Sequence, residues 1–299
     1  MGVALTFLFI SFFSIFAVAD IPVVDFNESL GIKNRSRYNM LLRKTDSERN
    51  LKFFRNLWQR NHPGQVKEPV EKIPKIIHQI WIGGKPLPKL YEKYANTCKA
   101  QHPYWKYKLW TDKDLEAFEL KNKDLYDKTS SLPEKADIFR YEILRKHGGL
   151  YLDIDQACLT SFDDIVGKYS FFAGVEPPLT YGKLVISNGL IATYPGNKIF
   201  DLVLERIRKN WNNYNHLPVG HIASHRSMLP LTDVFIESES LHDKSVIFPP
   251  TYFLPVFPKT TKSHYHFVDN MKILFGIYRD ENVFHSIKPE SYVYHDFFE

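Results

Sequence analysis

Between residues 131 and 155 the chain spells out a helix, a stop and a strand in unbroken succession: SLPEKADIFRYEILRKHGGLYLDID. Ser131 and Glu134 have the spacing of a capping box, and Pro133 falls in the first turn, where its missing N–H costs nothing. Lys146 and His147 fill the last turn, and Gly148-Gly149 end it. LYLDID then alternates. As a strand it sends Leu150, Leu152 and Ile154 to one face, with Tyr151, Asp153 and Asp155 on the other. Two carboxylates placed this way have backbones roughly 7 Å apart and can lean together around a hard cation such as Mg²⁺ or Mn²⁺. The apolar face anchors the strand in a core, which puts the acids at a strand terminus, where open α/β sheets bind ligands.

The helix contributes a second group. Asp137, Arg140 and Tyr141 stand at i, i+3 and i+4, on one side of it. Asp137 is placed to accept hydrogen bonds from sugar hydroxyls, and Arg140 to bring charge to a phosphate or an oxygen. Around this unit, short apolar strands alternate with helical stretches from residue 75 onward, the texture of an α/β layer fold. KIIHQIWIGG (75–84) reads as a buried strand ending in a glycine turn. YWKYKLWTDKDLEAF (104–118) reads as a second strand, with Thr111 or Asp112 capping the next helix. KLVISNGLIATYPGNKIFDLVLERIRKNW (183–211) reads as strand, turn and helix, with Phe200, Val203, Leu204, Ile207 and Trp211 as the helix's apolar stripe.

Residues 20–72 look like a helical extension. SRYNMLLRKTDSERNLKFFRNLWQRN (36–61) is charged and helical in period, and HPGQVKEPVEKIP (62–74), with three prolines and a glycine, is a linker. Residues 3–19, VALTFLFISFFSIFAVA, are an uncharged apolar run whose closing AVA has the small-x-small pattern of a cleavage site. Residues 1–19 are therefore expected to be a signal peptide, or else an uncleaved N-terminal anchor giving membrane association. The rest of the chain is then lumenal in the secretory pathway (Golgi or ER) or secreted, and Asn27 and Asn34 head usable glycosylation sequons. Lys plus Arg number 39 against 34 acids, a mild excess with no dense basic block, so charge does not point to nucleic acid. Two cysteines, Cys98 and Cys158, exclude a disulfide scaffold and a multi-cysteine zinc site while permitting one bridge.

KADIFRYEILRKHGGLYLDID (135–155) resembles the DXD sugar-binding region of glycosyltransferase family 32, which includes the yeast initiating α-1,6-mannosyltransferase and mannosyltransferases of inositol phosphorylceramide. The same acid-x-x-Arg and Gly-Gly-x-Tyr-x-Asp-x-Asp pattern is similar to that of the clostridial glucosylating toxins. IPKIIHQIWIGG (73–84), YKLWTD (107–112) and ISNGLIATYPGN (186–197) resemble other ordered motifs of the family, so the likeness covers about residues 73–200. It implies a GT-A fold, a Rossmann-like mixed sheet flanked by helices, over residues 73–299. It also implies a GDP- or UDP-hexose donor, a glycan, glycolipid or protein acceptor, and a divalent metal, usually Mn²⁺.

Carried over by position, Asp153 and Asp155 are the DXD acids, Asp155 the firmer metal ligand, and Asp137 and Arg140 hold the donor sugar. Tyr151 lies beside the nucleotide, and Trp81 stacks on the base or packs in the core. Asn188 hydrogen-bonds donor or acceptor, or else belongs to an Asn-Gly turn. SYVYHDFFE (291–299) offers His295 as a third metal ligand or an ordinary tail histidine. The Ser/Trp grip on the diphosphate that the family carries nearby has no counterpart there, and Phe297 stands where an aromatic is expected.

The resemblance also implies transfer of mannose, galactose or glucose with retention of anomeric configuration, the acids acting as ligands and not as an acid/base pair. A paired-carboxylate glycosidase fits less well, because its acids face each other across the substrate. A haloacid-dehalogenase phosphatase wants Thr or Val where Ala157 stands. The competing reading is an inactive GT-A-fold carbohydrate-binding or scaffold protein. His216, His221 and His225 have partial zinc-like spacing but no accompanying Glu, and read as a solvated loop or helix start.

Overall fold

The computed structural model describes residues 21–30, 45–65, 71–176, 183–217, 219–238, 243–254 and 288–295. Six strands form one sheet: β1 (Ile76–Ile80), β2 (Lys106–Trp110), β3 (Gly149–Leu152), β5 (Phe171–Glu176), β6 (Val185–Thr193) and β7 (Ser245–Phe248). Their order is β2-β1-β3-β6-β5-β7. β1 runs parallel to β2 and β3, and β5 parallel to β7, while β6 is antiparallel to both β3 and β5. This is the mixed α/β sheet of the GT-A type expected from sequence. Five strands end at one edge, and that edge carries the site. β3, β5 and β6 are buried along their whole length because helices cover both faces, which is why they read as near-continuous apolar runs.

The longer helices are α1 (Thr45–Asn61), α2 (Lys89–Gln101), α3 (Asp112–Ala117), α4 (Leu132–His147), α5 (Ile199–Asn210) and α6 (Val219–Glu237). α4 stops where Gly148 and Gly149 turn at φ 59° and 91°. A methyl at Gly148 would meet the Pro195 nitrogen at 2.5 Å, and one at Gly149 would meet Ile76 Cγ2 at 2.6 Å, so both glycines are required by conformation and by crowding. The start of α4 differs from expectation. The Ser131 side chain caps nothing, and Glu134 instead accepts Thr129 Oγ1–H at 2.6 Å and pairs with Arg226 of α6 at 2.5 Å. A charged partner beats a local cap, and it ties two helices together. At α3 the capping residue is Thr111, which donates its N–H and O–H to Asp114. Asp112 instead accepts the Gly83 and Gly84 N–H groups, which pulls its carboxyl below the usual range and fastens the turn after β1.

α1, read from sequence as part of an extension, is packed into the same core as the sheet. Phe54, Leu57 and Trp58 are buried, and the Trp58 ring lies 5.4 Å from both Phe248 and Tyr252. Asn61 donates to the Ser245 carbonyl at 2.8 Å, closing α1 onto β7. The signal peptide or anchor expected over 1–19 lies outside the described residues. Among the described residues no helix is long and apolar enough to cross a membrane.

A second, two-stranded sheet pairs β4 (Gln156–Cys158) antiparallel with β8 (Val293–His295). It packs with α2 through a small cluster of Leu90, Tyr91, Tyr94, Ala157 and Tyr294. Cys98 of α2 and Cys158 of β4 are joined by a disulfide across 60 residues of sequence. The strand expected over residues 150–155 is therefore two strands: β3 ends at Leu152, and Asp153, Ile154 and Asp155 form the turn into β4.

Candidate active site

Asp153 and Asp155 reach one site through that turn, not through the pleat of a strand. Three contacts hold it. Asp153 N–H donates to the Gly189 carbonyl at 2.8 Å, Gln156 N–H to the Asp153 carbonyl at 3.1 Å, and Gln79 Nε2–H to that same carbonyl at 3.0 Å. Gln79 is itself fixed by the Tyr107 hydroxyl at 2.6 Å. Gly189 answers a close approach, since a methyl there would sit 2.6 Å from Asp153 Oδ2. Asn188 and Gly189 thus lie within β6 and form no turn, and the glycine is there to admit the carboxylate.

Opposite Gln156 across the two-stranded sheet stands His295. One ligand atom each from Asp153, Asp155 and His295 lies within 4.8 Å of the other two, and no other such group of three occurs among the described residues. His295 Nε2 is 3.2 Å from Asp155 Oδ1, yet that buried oxygen closes no hydrogen bond. Burial disfavours charge on His295, but Asp155, Asp153 and Glu176 at the end of β5 outweigh it and raise its pKa to about 9. Carboxylate and imidazole donors gathered this closely, with one oxygen left orphaned, fit a divalent cation that accepts both oxygen and nitrogen.

Beside the acids lies the α4 group. Arg140 is buried and its Nη2 reaches Asp153 Oδ1 at 2.9 Å and Asp137 Oδ1 at 3.1 Å, while Nη1 donates to the Asn188 carbonyl. Its guanidinium lies 4.3 Å from the Tyr151 ring centre, and the Tyr151 hydroxyl donates to Asp153 Oδ1 at 2.9 Å. Tyr151 is thus wedged between Arg140 and Asp153. Asp137 Oδ1 accepts Asn188 Nδ2–H at 2.9 Å, and Asn188 also donates to Ser227 Oγ at 3.0 Å. Burial pushes Asp137 up to about 6 despite the opposing pull of Arg140. Tyr141 donates its hydroxyl to the Ser227 carbonyl at 3.1 Å.

These side chains line a cleft of about 540 Å³ at the sheet edge. Trp81 and Tyr91 form one wall, their rings 5.7 Å apart edge to face, and Trp81 Nε1–H is spent on the Lys85 carbonyl at 2.7 Å. Trp81 is only partly covered, so its ring both packs on Tyr91 and faces the cleft. Ala223, Ser227 and Met228 of α6 form the far wall. Of the residues singled out from sequence, Trp81, Asp137, Arg140, Tyr151, Asp153, Asp155 and Asn188 line this cleft, His295 stands beside it against Asp155, and Phe297 lies outside the described residues. The sequence reading missed Gln79, Gln156, Glu176, Ser227 and Met228, all buried. Only the polar Gln156, next to the acids in a strand of otherwise apolar residues, carried a sequence signal. Among the described residues the zinc-like histidines gather no such cluster: His216 is exposed, the His225 ring lies 5.6 Å from Tyr214, and the His221 side chain lies outside the described residues.

Residues 88–172 match the family described as glycosyltransferase sugar-binding region containing DXD motif. An uncharacterized glycosyltransferase of Acanthamoeba polyphaga mimivirus is 33% identical over 186 residues, which cover 57% of this chain and 73% of that protein. The chain belongs to this DXD glycosyltransferase family. Inositol phosphoceramide mannosyltransferase 1 of Schizosaccharomyces pombe is 30% identical over 161 residues, 52% of this chain and 46% of that protein, so the chain spans about half the length of this relative. Among solved structures, a chain titled PaToxG Glycosyltransferase is 16% identical with a TM-score of 0.48, covering 87% of this chain and 99% of its own. For a DXD glycosyltransferase, the three-residue cluster is where a divalent metal belongs, and the Asp137–Arg140–Asn188 group is next to it.

Proposed function

We propose that this chain is a metal-dependent hexosyltransferase of the secretory pathway, moving mannose, galactose or glucose from a GDP- or UDP-sugar to a glycan, glycolipid or protein acceptor with retention. The observation that carries this reading is the convergence of Asp153, Asp155 and His295 at one end of a cleft whose floor is Asp137 and Arg140. Mn²⁺ suits a site of two carboxylates and an imidazole better than Mg²⁺, which prefers oxygen alone. The Schizosaccharomyces pombe relative named as a mannosyltransferase favours mannose. On this reading residues 73–299 carry the donor site and α1 braces the sheet from the preceding segment.

Asp153, Asp155 and His295 would hold a divalent cation, which when bound would supply positive charge to offset that of a departing diphosphate. The chain's own groups divide the remaining work. Asp137, held by Asn188 and Arg140, accepts hydrogen bonds from donor-sugar hydroxyls. Arg140, anchored by two carboxylates and one carbonyl, keeps its positive charge in the cleft and needs no rearrangement to act. Trp81 and Tyr91 offer an apolar wall for the nucleoside. The test is hydrolysis of GDP-mannose, UDP-glucose and UDP-galactose with Mn²⁺, comparing the native chain with Asp155→Ala. Donor turnover should fall by roughly two to three orders of magnitude in the variant. No turnover of any donor, or turnover untouched by the change, would reject the reading in favour of a binding protein.

A further inference from the structure

Gln156 plays no part in the chemistry described so far, yet its side chain is placed against the metal cluster. It is buried, directly opposite His295 in the β4–β8 pair, with its amide nitrogen 3.4 Å from His295 Nδ1. Its amide oxygen is buried and has no hydrogen-bond partner. A neutral imidazole that gives one ring nitrogen to a cation must carry its proton on the other, and that N–H needs an acceptor. The nitrogen turned toward Asp155 is Nε2, so the proton belongs on Nδ1, the atom that faces Gln156. A half-turn of the amide exchanges its two ends and brings the unpartnered oxygen to Nδ1.

We propose that Gln156 is a positioning residue for His295: its amide oxygen accepts Nδ1–H and so holds Nε2 toward a divalent cation between Asp153 and Asp155. This inference rests on the reading of Asp153, Asp155 and His295 as a metal site, and the experiment separates the two.

Mn²⁺ alone is titrated calorimetrically into the native chain and into Gln156→Met, Gln156→Glu, His295→Ala and the Gln156→Met/His295→Ala double variant. Thermal unfolding without metal checks each fold. Gln156→Met should weaken Mn²⁺ binding by about 10- to 100-fold, the loss typical of removing an outer-shell partner of a histidine ligand. Gln156→Glu, whose carboxylate also accepts Nδ1–H, should bind Mn²⁺ as tightly as the native chain or tighter. Once His295 is gone, Gln156→Met should cost nothing further, because the residue acts through that ring. A purely structural glutamine would give the reverse order, the isosteric apolar Met being tolerated better than a buried acid beside two others. Native binding that Gln156→Met leaves intact, or equal losses in Met and Glu, overturns the proposal while leaving the metal site standing. Absence of Mn²⁺ binding by the native chain overturns both.

Discussion

A single missing methyl group decides where Asp153 can stand. Gly189 lies within β6, and any side chain there would press on Asp153 Oδ2 at 2.6 Å while the Gly189 carbonyl still holds the Asp153 amide. Gly189→Ala should therefore push the carboxylate out of the cluster at the cost of one overpacked contact, about 1 to 3 kcal/mol of stability. The expected outcome is Mn²⁺ affinity at least tenfold weaker in a chain that still folds. Titration and thermal unfolding check it, and unchanged affinity would mean that Asp153 does not take this position. From sequence, Asn188-Gly189 looked equally like a turn, because dipeptide preference is local while the reason for this glycine sits 36 residues away. Asp137 and Arg140 were legible because one helix carries both at i and i+3, a relation that helical geometry imposes before any tertiary contact forms.

At the scale of elements, the cluster is assembled from two pieces: the turn after β3 and the far strand β8. β4 links them, and the disulfide between Cys98 and Cys158 fastens β4 to α2. Closing a loop of 60 residues restricts the unfolded chain by about 4 kcal/mol on the chain-entropy account. Reduction, or Cys98→Ser with Cys158→Ser, should lower stability by up to that amount, seen as a lower urea midpoint. A midpoint that ignores reductant would show the bridge to be energetically idle. The same scale explains the capping box that did not form. Glu134 has the right spacing to Ser131, but Arg226, 92 residues on, reaches it at 2.5 Å and also covers the Trp211 ring at 4.1 Å. A motif three residues long records no partner so distant.

For the molecule as a whole, His78, buried within β1, makes stability depend on pH. His78 accepts Trp110 Nε1–H on Nδ1 and faces the Gly148 carbonyl with Nε2 at 2.9 Å, so its neutral form is built into the junction of β1, β2 and α4. Burial is the main cause that drives its pKa down to about 4. The unfolded chain takes up that proton near pH 6.5, the native chain only near 4, so the contribution is complete above pH 6.5 and is lost as pH falls toward 4. About 2 kcal/mol should be gone by pH 5. Urea unfolding at pH 7.5 and pH 5 should show this loss in the native chain and not in His78→Phe, and parallel losses would assign the pH dependence elsewhere. What the sequence by itself determined was the succession of helix, glycine stop and acidic turn, together with the α/β texture, because capping, periodicity and glycine conformation are properties of neighbouring residues. Where the acids point, which histidine completes their cluster and which glutamine stands behind it were decided only by the tertiary structure. Those positions depend on β8 returning beside β4 from almost 140 residues away, and no local preference encodes that encounter.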